Sequence, residues 1–237
     1  MAQFLLIHGA CHGAWCWREL LPLLNRKGHI ADAIDLPAHG DDHTPIGDVT
    51  LGHYVDAIVA AIEAPVILVG HSLAGIAISA VAQRLPKKVS RLVYLAAWMP
   101  RDGQSAKDMR ANAPCQNLLN AMVPAPDRLS TTFDPSMVRS LLYHDCSADL
   151  IEFANKNLCP EPTAPSNTPI SLGTNYASVD RSYIRCMDDR AIPADYQIKT
   201  SQSLPKSDVY EMACAHSPFF AQPGKLADIL FKIAEDQ

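Results

Sequence analysis

The sequence predicts an α/β fold: a mostly parallel central sheet flanked by helices, with a small helical cap inserted. Three observations carry this expectation. Over the first hundred residues, short apolar runs of strand type alternate with segments of helical period, as in successive strand–helix–strand units. The stretch Val66–Gly75 runs from Val-Ile-Leu-Val through Gly70-His71-Ser72 into a new apolar period (Leu73, Ile76, Ala77, Ala80, Val81), which reads as strand, sharp turn and helix. Half of the 18 prolines lie between residues 100 and 169, where strand patterning of the core type stops.

Taken in order, Gln3–Ile7 reads as a fully buried parallel strand, because it is apolar on both faces. The small residues from Ala10 to Ala14 suit a loop over a site. Trp17, Leu20, Leu21 and Leu24 fall at helical spacing between Trp15 and Lys27, with Pro22 marking a kink and Gly28 a stop. Ile30–Leu36 reads as a second strand, followed by a polar turn from Pro37 to Asp42. Thr50 caps a helix running to about Glu63, and Ala64-Pro65 lead into the strand before Ser72. Val89–Ala96 gives another strand.

From Pro100 the pieces shorten. Helical patterns occupy Cys115–Met122, Pro135–Leu142 and Ser147–Leu158. A structureless loop of this length would be very unusual in a compact domain, so an inserted helical cap over the sheet is expected. This gives a core of residues 1–99 and 170–237 and a cap of residues 100–169. Tyr183–Met187 resumes the strand pattern, Ile192-Pro193 opens a helix to about Ser203, Asp208–Met212 is a last strand, and Pro223–Ala234 a closing amphipathic helix.

Composition narrows the class of function. The 237 residues suit one α/β domain with an insertion, and 48% hydrophobic residues supply a sizeable core. The net charge of −5 comes with no basic patch, which argues against nucleic acid as a partner. No apolar run reaches the roughly 18 residues a membrane-spanning helix needs, and no basic leader precedes Phe4, so neither a membrane anchor nor a signal peptide is expected. The seven cysteines are scattered, odd in number and without a C-x-x-C pair. They predict a reduced, cytoplasmic protein rather than a disulfide framework, and their spacing fits no metal site.

Ser72 sits where a strand turns sharply into a helix, the position of an activated nucleophile; a plain strand–helix turn with a capping serine fits the same residues. The pattern is G-x-S-x-A, with Ala74 where glycine is usual. A serine hydroxyl needs a base within hydrogen-bond reach, and the base needs an orienting carboxylate. Only His144 and His216 follow Ser72 in sequence. His144 falls in the cap, whereas His216 directly follows the last strand and is the candidate base. Asp188 and Asp189 both follow the strand ending at Met187, and their positions alone do not separate them. Asp208, at the start of a strand, is at the wrong end for the site and reads as a surface residue. The backbone N–H groups of Leu73, after the nucleophile, and Ala10, after the first strand, are candidate oxyanion donors.

These residues form part of a wider likeness. Phe4–Trp17, Gly70-His71-Ser72-Leu73, Tyr94–Pro100, Asp189-Arg190-Ala191-Ile192-Pro193 and His216-Ser217-Pro218-Phe219-Phe220 together resemble the plant methylesterase and hydroxynitrile lyase family of α/β-hydrolases and its bacterial esterase relatives. The likeness spans most of the chain and is thin in the cap. It implies an α/β-hydrolase fold, no cofactor, a triad on Ser72, Asp189 and His216, and oxyanion donors on the N–H groups of Ala10 and Leu73. The family's lyases carry a lysine just after the histidine and a glutamate before the nucleophile; here these are Ser217 and His71, which favours hydrolysis. Ala74 and Ala215 are further departures beside the site.

The resemblance implies a serine carboxylesterase acting on a small-to-medium apolar ester, such as a methyl, aromatic or pyrethroid-like ester. Trp98, Leu118, Leu142, Tyr143 and Phe153 are candidates to line the pocket, although packing in the core would account for each. A cyanohydrin lyase and a ligand-binding receptor on the same fold are the alternatives. Epoxide hydrolases and dehalogenases of this fold would carry aspartate in place of Ser72. Family members often form dimers, so a homodimer is the assembly the likeness suggests.

Overall fold

The computed structural model describes residues 1–236. Its centre is a six-stranded sheet built from β1 (Gln3–Ile7), β2 (Ile30–Ile34), β3 (Val66–His71), β4 (Val89–Leu95), β8 (Arg181–Cys186) and β9 (Val209–Met212), in the order β2-β1-β3-β4-β8-β9. Every neighbouring pair is parallel. Strand alternation sends Phe4, Leu6, Ile67 and Val69 to one apolar layer and Leu5, Ile7, Val66 and Leu68 to the other. Both faces are covered, which is why these strands are apolar throughout rather than alternating.

The layer containing Leu5 and Leu68 is packed by α2 (Leu51–Ala60), α3 (Ala74–Arg84) and α9 (Thr174–Ala177). The opposite layer is packed by α1 (Leu21–Arg26), α11 (Pro218–Ala221) and α12 (Pro223–Glu235). The helix α10 (Ala194–Ser201) follows β8. Chain direction across the sheet reverses between β1 and β3, which lie side by side. In open α/β sheets, ligands bind outside the carboxyl ends of the strands at such a switch point. Ala10 follows β1 and Ser72 follows β3, so the topology alone brings these two residues to one crevice.

The continuous helix expected over Trp15–Lys27 is not formed. A short 3-10 turn spans Ala14–Trp17, and α1 begins only at Leu21, with Pro22 in its first turn. Proline lacks the N–H that an interior position must donate and clashes with the preceding turn, so the chain restarts there instead of kinking. Gly28 ends this segment at φ +81°. Thr50 caps α2 as expected, accepting from the His53 N–H.

Between β4 and β8 lie α4 (Ala106–Ala111), α5 (Asn117–Ala121), α6 (Pro135–Leu142), α7 (Ala148–Asn157) and α8 (Thr163–Asn167). They are joined by an antiparallel sheet the sequence reading lacks: β5 (Met122–Pro124), β6 (Ser130–Phe133) and β7 (Glu161–Pro162). These strands are two to four residues long and rich in proline, too short for period-2 alternation to register. The cap is therefore mixed rather than purely helical.

The awkward Ala74 is explained by its neighbour. A Cβ on Gly75 would collide with the Trp98 carbonyl oxygen, whereas Ala74 is accommodated among buried side chains. The close approach of helix to strand thus falls one residue later than the usual motif places it. Gly75→Ala is expected to cost about 1–3 kcal/mol through overpacking against backbone. Ala74→Gly should cost about 1 kcal/mol, the helix-propensity difference. Urea unfolding measures both, and a Gly75→Ala protein as stable as the parent would contradict the packing argument.

Candidate active site

Ser72 lies at the joint of β3 and α3 with φ +52°, a left-handed conformation uncommon outside glycine. Three backbone bonds hold it there. Its N–H donates to Leu95 O (3.2 Å), and its carbonyl accepts from the N–H groups of Trp98 (3.0 Å) and Gly75 (3.2 Å). A Cβ on Gly9 would come within 2.9 Å of the Ser72 Cβ and of His71 Nδ1, so the loop after β1 passes directly against the serine.

His216 lies beyond β9 and is 2% exposed. Its Nδ1 is 2.7 Å from Asp189 Oδ2, which places the proton on Nδ1 and leaves Nε2 as an acceptor. Asp189 is fixed in turn. Its Oδ1 accepts from the N–H groups of Ala191 (2.7 Å) and Ile192 (2.9 Å), and Oδ2 also accepts from Gln197 Nε2 (3.0 Å). Asp188 instead borders a separate surface depression with His144, Asp145 and Arg190. Asp208 lies away from the cavity, partly exposed, and pairs with the buried Arg91 at 2.7 Å.

Ser72, His216, Ala10 and Leu73 border one cavity of about 360 Å³. The Ser72 hydroxyl and His216 are not hydrogen-bonded to each other; such contacts often close only when substrate is present. Among the described residues, neither the Ala10 nor the Leu73 N–H donates to a protein acceptor. Two fixed backbone donors thus remain available at the cavity wall, beside the serine.

Of the expected pocket residues, Trp98, Leu118 and Leu142 border this cavity. Tyr143 and Phe153 do not. Tyr143 stands behind His12, with its hydroxyl 2.7 Å from His12 Nε2, and Phe153 packs on Trp15 and Phe220. His12, His71, Arg110, Met122 and Phe133 complete the wall, and the sequence reading named none of them as a pocket residue. Arg110, Met122 and Phe133 reach the wall through chain crossings in the cap, which leave no local pattern, whereas His12 and His71 come from the core beside the serine. Gln197 was missed as well; its only signal is a polar residue at an apolar helix position.

The surrounding imidazoles are neutral. Burial drives the pKa of His8 and His71 well below the ordinary histidine value, helped by His39 for the first and His216 for the second. Burial also lowers His12 to about 4. Their hydrogen bonds agree: His12 Nδ1 donates to Ala10 O (2.8 Å) while Nε2 accepts from Tyr143, and His71 Nε2 donates to His216 O (2.9 Å). Of the three histidines on the cavity wall, His216 is the one bonded to a carboxylate.

A second buried cluster braces the loop after β1. Glu161 of β7 accepts from His39 Nε2 (2.8 Å), the Cys11 N–H (3.1 Å) and the Tyr54 hydroxyl (3.0 Å). His39 Nδ1 donates to Pro37 O (3.1 Å), so both ring nitrogens donate and the ring is an imidazolium. Burial alone would lower the His39 pKa, but the Glu161 carboxylate outweighs it and raises it. Burial would raise Glu161, but His39, the Cys11 N–H and the Tyr54 hydroxyl hold it below the usual carboxylate value.

No group of three or more His, Cys, Asp or Glu among the described residues is arranged to hold a metal ion, and all seven cysteines are free. No helix among the described residues is long and apolar enough to cross a membrane.

Parallel strand order, a left-handed serine at a strand–helix joint and a carboxylate-bound histidine beyond the last strand define the hydrolase class of doubly covered α/β sheets. The chain belongs to the alpha/beta hydrolase family, whose profile matches residues 4–229. It is 34% identical to putative methylesterase 11, chloroplastic, of Arabidopsis thaliana over 98% of this chain, and spans 64% of that protein's length. It is 31% identical to methylesterase 7 of the same plant, covering 98% of this chain and 96% of the relative. A pyrethroid hydrolase from Sphingobium faniae JZ-2 superposes with a TM-score of 0.89 at 26% identity, over 99% of this chain and 97% of the other.

The neutral histidines set an acid limit to stability. In the unfolded chain each titrates near pH 6.5, and in the folded protein His8, His12 and His71 resist protonation until well below that. Below about pH 6 the unfolded state therefore binds more protons, so stability falls as pH falls, by about 1.4 kcal/mol per pH unit for each group. His39 is charged in both states over that range and does not offset the loss. Urea unfolding at pH 7, 6 and 5 should show stability dropping by several-fold that single-group slope, and equal stability at pH 7 and 5 would contradict it.

Proposed function

We propose that the protein is a serine carboxylesterase in which Ser72, Asp189 and His216 act together. The observation that carries this is the shared cavity: Ser72, the open Nε2 side of the Asp189-bound imidazole, and two uncommitted N–H groups on Ala10 and Leu73 meet there. Ser72 Oγ attacks the ester carbonyl while His216 Nε2 takes its proton. The oxygen that becomes negative is held by the Ala10 and Leu73 N–H groups, fixed before reaction by the backbone around them. Asp189 keeps the proton on Nδ1 and stabilises the imidazolium that forms. His216 then protonates the departing alcohol, and water activated by the same nitrogen releases the acid.

The names of the relatives, methylesterase and pyrethroid hydrolase, support ester hydrolysis as the reaction. The apolar side chains on the cavity wall, among them Leu118, Met122, Phe133 and Leu142, favour an ester with an apolar acyl or alcohol part. Cyanohydrin cleavage is disfavoured because Ser217 is fully buried with its hydroxyl unpartnered, and His71 is held neutral against the His216 carbonyl.

Release of nitrophenol from 4-nitrophenyl acetate and butyrate tests the reading. Ser72→Ala should lower kcat by about 10⁴–10⁶-fold and Asp189→Asn by about 10⁴-fold, each with the fold intact by circular dichroism. Equal rates for parent and Ser72→Ala would sink it.

A further inference from the structure

Arg110 is the one formally charged side chain on the cavity wall besides the histidines, and it is unpaired. It projects from α4 in the cap and is 7% exposed. Its Nε has no hydrogen-bond partner, and its Nη1 reaches only the Met122 Sδ at 3.7 Å. No carboxylate among the described residues forms an ion pair with it. It lies over no aromatic ring. Glu161, the carboxylate whose field reaches it, has its oxygens taken by His39, Cys11 N–H and Tyr54.

Buried arginines are almost always paired, because an uncompensated buried charge costs several kcal/mol. Guanidinium remains protonated under all ordinary conditions, so deprotonation offers no escape. A protein that keeps such a group at the wall of its reaction cavity is giving up stability where a ligand can return it. The ligand group must be an anion. A single guanidinium, with no other arginine or lysine on the cavity wall, matches the one negative charge and planar fork of a carboxylate. A phosphate dianion would need further donors, and the neighbouring wall (Leu118, Met122, Phe133, Leu142) offers none.

We propose that Arg110 binds a free carboxylate on the substrate, so that the preferred esters are monoesters of dicarboxylic acids. This rests on the ester-hydrolase reading above. The ester carbonyl sits at the Ala10 and Leu73 N–H groups, the free carboxylate meets Arg110, and the apolar wall takes the carbon chain between them. Hydrolysis breaks the acyl–oxygen bond. The oxygen of water enters the second carboxylate, one of its hydrogens leaves with the alcohol, and a proton is released.

A matched pair of substrates tests this: mono-4-nitrophenyl adipate and 4-nitrophenyl hexanoate, which differ only in the terminal carboxylate against a methyl group. Wild type should favour the adipate by about ten- to hundredfold in kcat/KM, the worth of one charge-assisted pair. Arg110→Met should collapse that ratio, mainly through KM, and Arg110→Lys should keep part of it. A wild-type ratio of one or less, or the same ratio in wild type and Arg110→Met, overturns the proposal. If neither ester shows turnover that depends on Ser72, the ester-hydrolase reading fails separately. Calorimetric titration of the protein with adipate then decides the anion site: saturable binding that Arg110→Met weakens at least tenfold upholds it, and no binding overturns it.

Discussion

The molecule depends on one crowded joint. Where β3 meets α3, the chain must reverse into a helix packed so closely on β4 that the carbonyl of Trp98 occupies the space of a side chain at position 75. That proximity forces Ser72 into a left-handed backbone conformation, which costs on the order of 1–3 kcal/mol. Bonds from Ser72 to Leu95, Trp98 and Gly75 make it persist. The strain has a consequence for chemistry, because only such a turn thrusts a side chain clear of both strand and helix. Strand order then supplies the rest. With β1 beside β3, the loop carrying Ala10 is pressed against the serine, and with β8 and β9 following β4, the loops carrying Asp189 and His216 open on the same edge.

The cap braces what the core brings together. Two hydrogen-bonded chains run from cap residues to the loop after β1: Glu161 holds the Cys11 N–H, and Tyr143 holds His12, which holds the Ala10 carbonyl. Asp145 does the same for the other side, accepting from the N–H of Ala215 at 2.7 Å next to His216. The departure at position 215 therefore does not leave this loop unsupported. A buried ion pair such as His39–Glu161 is a poor source of net stability, since desolvating both charges offsets most of their attraction. Its value lies in direction: removing either partner strands the other, so the loop has one favourable position. Tying the loop after β1 to the cap also means that displacement of the cap would disturb the position of Ala10, coupling access to the cavity with its geometry.

What the sequence displayed and what it hid divide along physical lines. The parallel sheet was legible because strands buried on both faces are continuous apolar runs, and the order of Ser72, the Asp188–Asp189 pair and His216 after successive strands was legible because topology fixes it. Adjacent aspartates could not be separated by position. The geometry separates them through Asp189's four donors, including Gln197. Hidden altogether were residues whose burial arises from distant segments. Nothing near Glu161 in sequence announces that it lies 150 residues from its partner at Cys11, and nothing near Arg110 distinguishes it from a solvated helix arginine. The short prolines-and-threonines strands of the cap failed for a different reason, being too brief for any period to show.

Charge in the interior is distributed unevenly, and this bears on what the cavity holds. Glu161 is neutralised by His39, and Asp189 accepts from the His216 imidazole. His8, His12 and His71 are kept neutral, so they add no positive field. Arg110 alone is left without a counter-charge. The Asp189 carboxylate stands behind the cavity wall, bonded to His216, and the Arg110 guanidinium lies on the wall itself. In the proposed reaction, an anionic group on the substrate completes the second of these pairs in the ground state, and proton transfer to His216 completes the first in the transition state. On the proposed mechanism the two charges do different work: Arg110 contributes to binding and alignment, while Asp189 stabilises a charge that exists only as the serine attacks. A neutral ester would use the first pair and leave the second unfilled, which is why its penalty falls on KM.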